Sequence, residues 1–168
     1  QQSSSAASDV YKRQIYGVLL ILDEVMCGMG RTGHLFACEA DQVTPDIICI
    51  AKGLGAGYQP IGAMMCSENV YEVIKTGSGI FQHGHTYLGH PVATAAGYAV
   101  VNKIISQNMV AKCHHLGTVL SDALHDRFGQ HPYIGDIRGR GLFLGIEMVS
   151  DRTTKELSLI HISEPTRH

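Results

Sequence analysis

The sequence predicts an α/β fold with a mostly parallel sheet. Two short apolar runs, at 18–22 and 46–51, are bounded by charged residues or by proline, as strands buried on both faces of a sheet are. Residues 91–105 repeat apolar and small side chains at helical spacing, which indicates a closely packed helix. Strand and helix patterns that alternate along a chain are typical of this class.

The other elements follow from periodicity and from turn residues. Ser67 is a candidate N-cap because a serine hydroxyl can accept a hydrogen bond from the first turn of a helix. Segments that contain Gly and Pro separate the elements, and small side chains predict that the helix at 91–105 is buried. In chain order, the sequence predicts a strand at 18–22, a short helix at 36–42, strands at 46–51 and 61–66, a helix from Ser67 to Thr76, helices at 91–105 and 108–128, and a strand at 141–148.

The same patterns divide the chain into four parts. The Ser-rich start and the irregular end resemble translated adapter sequence, so we interpret 1–14 as a non-native leader and 157–168 as a non-native tail. Frayed native termini are the alternative. Residues 15–107 are predicted to form the later part of a large domain, and 108–156 the start of a C-terminal small domain.

Composition excludes several classes of protein. A chain of 168 residues with 45% hydrophobic side chains can bury a core, which argues against disorder. Thirteen Lys and Arg against fifteen Asp and Glu leave a net charge of −2, so neither nucleic acid nor a membrane surface is an expected partner. The longest apolar run is far shorter than the roughly 20 residues of a membrane-spanning helix. Five cysteines without a CxxC pair indicate a reducing, cytoplasmic location.

Asp23 and Lys52 are the candidate reactive pair. Each comes directly after a predicted strand, and they are 29 positions apart (23 to 52), close to one strand-helix-strand crossover of roughly 30 residues. Such a crossover brings both to the same carboxyl edge of a parallel sheet, where ligands bind. A lysine in apolar surroundings is a usable nucleophile, and a carboxylate can hold a positive ring nitrogen. The pair therefore suits a pyridine aldehyde cofactor, although strand-end residues that only pair or face solvent are the plainer alternative.

Two other motifs suggest different sites. Residues 28–33 match the G-x-G-x-x-G pattern, but a dinucleotide site requires that pattern to follow its strand directly. Here the acidic Asp23 and Glu24 lie in between and would oppose a pyrophosphate. Three histidines lie in the loop before the helix at 91–105 and suggest a metal site: His83, His85 and His90. No acidic residue or cysteine lies beside them, so we interpret them as loop-lining residues.

Four blocks carry a family resemblance. Residues 19–33 (LLILDEVMCGMGRTG) and 45–55 (PDIICIAKGLG) form two linked motifs, 83–91 (HGHTYLGHP) contain a threonine loop, and 138–142 (RGRGL) precede the last predicted strand. Within about 16–149, the chain resembles the class III, pyridoxal-phosphate-dependent aminotransferases. The resemblance implies a truncated fold-type-I large domain, an αβα sandwich, with the start of the family's α+β small domain.

The resemblance also implies residue roles. Lys52 would form the Schiff base with the cofactor aldehyde, and Asp23 would pair with the pyridinium nitrogen and keep it protonated. Val25 would pack on one face of the ring. Thr86 would reach across a homodimer interface to the phosphate of the cofactor in the neighbouring subunit, so that the active sites are shared. Met26 stands where many relatives have Gln, which removes a possible hydrogen bond toward the cofactor's phenolic oxygen. No metal is implied.

The implied activity is transamination between an amine or ω-amino acid and an oxo acid such as pyruvate. The family's phosphate loop, ring-stacking aromatic residue and carboxylate-binding arginine are missing from these 168 residues, so we expect the fragment to be inactive alone. An aminomutase or a decarboxylase of the same family and a non-catalytic binding module are the alternatives. Phe81 and Tyr87 are candidates either for lining a substrate pocket or for packing only.

Overall fold

The computed structural model describes Arg13 and residues 15–158, so the predicted leader and tail lie outside the described residues apart from Arg13, Leu157 and Ser158. A mixed sheet is accompanied by helices, which confirms the α/β prediction. No helix within the described residues has the length and apolarity to cross a membrane. The elements are β1 (Ile21–Asp23), a 3-10 helix (Ala37–Asp41), β2 (Ile47–Ile50), a 3-10 turn (Lys52–Leu54), β3 (Ala63–Cys66), α1 (Glu68–Thr76), α2 (Pro91–Ser106), α3 (Met109–Phe128), β4 (Ile134–Arg140), β5 (Phe143–Asp151) and β6 (Glu156–Leu157).

The first sheet has the strand order β1-β2-β3 and contains both kinds of pairing. β1 pairs with β2 in parallel, with Leu22 opposite Ile48. β3 pairs with β2 in the antiparallel direction, with Met64 opposite Cys49, where the sequence predicts a mostly parallel sheet. The short, turn-rich connection at 51–62 explains the difference, because a parallel return normally uses a crossover that contains a helix.

The helices begin close to their predicted positions but are capped differently. Ser67 has the extended backbone of an N-cap, yet its hydroxyl makes no capping hydrogen bond. At the start of α2, the Nδ1 atom of His90 accepts a hydrogen bond from the Ala93 N–H at 3.4 Å, and Pro91 occupies the first turn. Proline is well suited to that position because the N–H that it lacks would have no hydrogen-bond partner within the helix. His90 is therefore a helix cap.

Helix α2 is mostly exposed, so the prediction of a buried helix is wrong. Only a narrow stripe is buried: Ala93, Gly97 and Ile104. A β-carbon added at Gly97 would lie 3.2 Å from the Ile61 side chain, so the small residues permit a close approach on that stripe alone. The rest of the helix carries apolar side chains that face solvent, among them Tyr98.

The second sheet is antiparallel and has the order β4-β5-β6. The strand predicted at 141–148 begins at Phe143, because Gly141 and Leu142 form the turn between β4 and β5. β4 itself is absent from the prediction, since Gly135 and Gly139 weaken a strand pattern. The predicted boundary after residue 107 falls in the turn between α2 and α3, and the division into domains stays a prediction.

The core of the first sheet lies behind β2. Ile48, Ile50 and Leu54 are buried, and burying each aliphatic side chain contributes roughly 1.5–3 kcal/mol. The side chains packed against them come from β1, from the two connections that flank β2 and from α2: Leu22, Met29, Phe36, Cys38, Ile61 and Val101.

Candidate functional site

Asp23 and Lys52 lie at the same edge of the first sheet. Asp23 is the last residue of β1 and is opposite Cys49 of β2, and Lys52 follows the end of β2 by two positions. The Glu24 N–H extends the pairing by donating to the Cys49 carbonyl at 2.8 Å. Adjacent strands are about 4.8 Å apart, so the parallel pair brings the carboxylate-bearing and the amine-bearing strand ends next to each other.

Lys52 adopts a strained backbone conformation. Its φ is +40°, in the left-handed region that costs an L-residue other than glycine about 1–2 kcal/mol. Strain of this kind persists where the surrounding structure enforces it, often at functional sites. The side chain is exposed, and its ammonium group has no hydrogen-bond or ion-pair partner among the residues that the structure describes. The amine is thus available to a ligand.

The Asp23 carboxylate is held by the turn that follows it. Its Oδ1 atom accepts a hydrogen bond from the Val25 N–H at 3.0 Å, and Val25 is half-buried. Asp23 also lines a cavity of about 470 Å³ together with Leu22 and Arg140. Lys52 does not line this cavity. The structure therefore brings three of the four predicted site residues to one edge, with Asp23 shared between that edge and the cavity.

Glu24 is the buried acid next to the site, and its role is absent from the sequence prediction. It is 3% exposed, and its carboxylate accepts hydrogen bonds from the N–H groups of Ala37 at 2.6 Å and Cys38 at 2.8 Å. These groups open the 3-10 helix that stands where a short helix at 36–42 was predicted. Successive strand residues point to opposite faces, and that alternation could have separated the roles of Asp23 and Glu24.

Thr86, the fourth predicted site residue, lies in an exposed turn between α1 and α2. Within the described part of the chain, its hydroxyl has no hydrogen-bond partner. The structure does not bring it into the Asp23 edge. It is placed where a second molecule could reach it.

Burial and the nearby Glu24 together raise the pKa of a neighbouring thiol, Cys38. Burial, followed by the hydrogen bond and the charge of Glu24, raises the pKa of Cys38 to about 11. Burial also raises the pKa of Cys27, and Glu24 adds to that shift. Because the thiolate is the reactive form, both thiols are poor nucleophiles at neutral pH.

We therefore expect Cys38 to react slowly with iodoacetamide. With a pKa of about 11, roughly one Cys38 thiol in a thousand is ionised near pH 8, whereas Cys66 is exposed and should be labelled first. Peptide mass spectrometry over a pH series would show Cys38 labelling rise toward about pH 11. Glu24→Gln should speed that labelling by removing a negative charge. Equal labelling of both thiols near neutral pH would contradict this assignment.

Within the described residues, the two alternative motifs lack the geometry that their sites would require. Residues 28–33 are a series of turns that leads to the short 3-10 helix, not to the long helix that a dinucleotide site needs. No group of three or more His, Cys, Asp or Glu side chains between residues 15 and 158 is arranged to hold a metal ion.

The fold and the site define an α/β protein with an acid and a free amine at the carboxyl edge of a parallel strand pair. A family model for class III aminotransferases matches residues 12–164. The chain belongs to the class III aminotransferases, a family that depends on pyridoxal phosphate.

Individual relatives agree with this assignment. An aminotransferase of Gibberella zeae is 49% identical over 141 residues, which cover 84% of this chain and 28% of the relative. An (S)-enantioselective omega-transaminase from Thermomicrobium roseum has a TM-score of 0.85 and 38% identity, covering 89% of this chain and 33% of that structure. A taurine:2-oxoglutarate aminotransferase from Bifidobacterium kashiwanohense, in complex with PLP and glutamate, has a TM-score of 0.83 and 35% identity, covering 88% and 32%. The chain thus spans about a third of the length of these relatives.

Proposed function

We propose that these residues belong to a longer enzyme that moves an amino group from an amine or ω-amino acid to an oxo acid such as pyruvate. The observation that carries the proposal is the position of Asp23 and Lys52 at the ends of two neighbouring parallel strands. A free amine and a carboxylate at one edge fit pyridoxal phosphate, which has an aldehyde and a basic ring nitrogen. Family membership and the PLP-bound neighbour support the same cofactor.

In this proposal each residue has a defined task. When bound, pyridoxal phosphate supplies an electron-accepting ring that stabilises negative charge on the substrate carbon. Lys52 would hold the cofactor aldehyde through its Nζ atom, and as a free amine the same Nζ would take the proton from the substrate carbon that bears the amino group. Asp23 holds the proton on the ring nitrogen. Val25, which fixes the Asp23 carboxylate through its N–H, packs against the ring.

The activity is tested with the full-length protein. Purified protein with pyridoxal phosphate is given an ω-amino acid with and without pyruvate, and alanine, carbon dioxide and rearranged amine are measured. Transamination predicts alanine formation that requires pyruvate. Carbon dioxide release or a rearranged amine without an oxo acid would favour a decarboxylase or an aminomutase instead. Failure of the protein to bind the cofactor would favour the remaining alternative, a non-catalytic binding module.

We propose further that the enzyme is a homodimer in which Thr86 completes the neighbouring site. Thr86 lies in an exposed turn, and its hydroxyl has no hydrogen-bond partner among the described residues, which supports this arrangement. The exposed apolar side chains of α2 support it as well: Val92, Tyr98 and Ile105. Apolar faces of this kind are common where subunits meet.

Subunit complementation distinguishes a shared site from a self-contained one. Lys52→Ala and Thr86→Val are each expected to inactivate or strongly impair the homodimer. In a heterodimer of the two variants, one site carries both substitutions and the other carries neither if Thr86 acts across the interface. Isolated heterodimers should then recover about half of the wild-type activity per dimer. Absence of restored activity in isolated heterodimers would contradict the shared site.

A further inference from the structure

The turn between β4 and β5, which we call the hairpin tip (Arg140, Gly141 and Leu142), contacts the segment that follows the site carboxylates. Arg140 binds the Asp41 carboxylate through two hydrogen bonds, at 2.8 and 3.2 Å. The Leu142 N–H donates to the Arg31 carbonyl at 3.0 Å. These contacts join parts of the chain about a hundred positions apart. The two parallel hydrogen bonds between the Arg140 guanidinium and the Asp41 carboxylate also fix the relative orientation of these two groups.

The hairpin tip fits without spare room. Gly141 has a φ of +55°, and a β-carbon there would lie 2.5 Å from the Thr32 carbonyl carbon. A β-carbon at Gly117 of α3 would lie 2.4 Å from Gly141 itself. One turn of α3 further back, the Cys113 thiol donates to the Arg31 carbonyl at 3.1 Å. The tip is therefore enclosed between the loop at 31–33 and helix α3.

The same segment is tied to the site at its other end. Asp41 is the last residue of the 3-10 helix, and the Glu24 carboxylate holds the first N–H groups of that helix. Asp23, Glu24, Asp41 and Arg140 all line the cavity next to the sheet edge. A displacement of the hairpin tip would thus be passed through one short helix, held at both ends, to the residue adjacent to Asp23.

We propose that Arg140 is a positioning residue: through Asp41 and the 3-10 helix it holds the Asp23 carboxylate in register with the cofactor ring nitrogen. The contact between the hairpin tip and the loop stands by itself, and its effect on the ring rests on the function proposed above. The C-terminal hairpin is then a mechanical support of the site on the other sheet.

The first measurement follows the contact alone. In the 168-residue chain, the reaction of Cys113 and Cys38 with a disulfide reagent is timed against that of the exposed Cys66 in Asp41→Asn and Arg140→Met. Loss of a partly exposed ion pair should speed Cys113 modification by about twofold to fivefold. The exchanged pair Asp41→Arg with Arg140→Asp should restore the slow rate.

A matched control lies on the same strand. Arg138 forms exposed ion pairs with Asp136 at 2.9 Å and Glu147 at 3.6 Å but is not part of the hairpin tip. Arg138→Met removes the same charge as Arg140→Met and should leave the Cys113 rate unchanged. Faster modification in Arg138→Met to the same extent would mean that loss of charge, and not the Asp41 contact, is responsible.

The second measurement follows the site. In the full-length protein, the dissociation constant of pyridoxal phosphate is compared with that of an analogue that has a C–H in place of the ring nitrogen. If Arg140 positions Asp23, Asp41→Asn and Arg140→Met reduce the preference for pyridoxal phosphate by about threefold to tenfold, and the exchanged pair recovers it. A merely structural defect would weaken both ligands equally.

The outcomes separate the two proposals. Unchanged thiol rates in both single variants would overturn the contact, and an unchanged preference for pyridoxal phosphate would overturn the positioning role. Absence of any such preference in the unmodified protein would instead overturn the assignment of Asp23 under the proposed function.

Discussion

Replacing Lys52 with glycine is expected to stabilise the chain and to abolish covalent binding of pyridoxal phosphate. The left-handed backbone of Lys52, with φ at +40°, costs about 1–2 kcal/mol that glycine does not incur. The greater freedom of glycine in the unfolded chain cancels about 0.5–1 kcal/mol of that gain. A net stabilisation of about 0.5–1 kcal/mol should therefore be seen in urea unfolding of the 168-residue chain. Lys52→Ala keeps the strain and should leave stability nearly unchanged.

The functional half of this prediction is measured in the full-length protein. Borohydride reduction followed by peptide mapping should find the cofactor attached to Lys52 in the unmodified protein and to no residue in Lys52→Gly. Transamination should fall by about a thousandfold or more, because the proposed nucleophile and proton carrier are lost together. Lys103→Ala, a change at the end of α2, is the control and should retain both properties. Attachment of the cofactor at another lysine would refute the assignment.

The sequence predicts those elements whose hydrophobic pattern is complete within their own residues. β1 and β2 are continuous apolar runs, and α2 and α3 are long periodic segments, so their positions agree with the structure to within a few residues. β4 was missed because its strand character depends on pairing with β5 and not on its own glycine-rich sequence. The antiparallel direction of β3 was missed for a related reason, since apolar spacing does not record strand direction.

The same distinction applies to the site. The placement of Asp23 and Lys52 at one sheet edge can be predicted because each residue directly follows an apolar strand pattern and one crossover separates them. Both features are visible in the sequence. The anchoring of Glu24 is not visible, because its partners are backbone N–H groups, which every residue except proline carries. The pair of Arg140 with Asp41 spans about a hundred positions and depends on how the second sheet docks.

Replacing Glu24 with alanine is expected to be among the most destabilising single changes in this chain. The carboxylate is buried, at 3% exposure, and binds two N–H groups at 2.6 and 2.8 Å. Alanine would leave both donors without their acceptor and would leave the space of the side chain empty. Losing charged hydrogen bonds and creating a cavity should together cost about 3–5 kcal/mol. Urea unfolding of the 168-residue chain measures this directly.

Two further variants separate the causes. Glu24→Gln keeps the volume but offers one acceptor oxygen beside an amide that would face a donor, so its cost should be smaller, about 1–3 kcal/mol. Glu39 provides the matched control in the same segment: it is exposed, and its carboxylate accepts one hydrogen bond from the Leu35 N–H at 3.1 Å. Glu39→Ala should cost less than about 1 kcal/mol.

The order of the three losses in unfolding free energy tests whether the Glu24 carboxylate anchors the 3-10 helix or contributes little to stability. If the two buried hydrogen bonds carry the stability, Glu24→Ala is the most destabilising, Glu24→Gln is intermediate and Glu39→Ala is the least. A loss below about 1 kcal/mol for Glu24→Ala would mean that the 3-10 helix holds its position without the carboxylate. The route by which Arg140 reaches Asp23 would then lose its middle step, because Asp41 would no longer be rigidly joined to the strand that ends at the site.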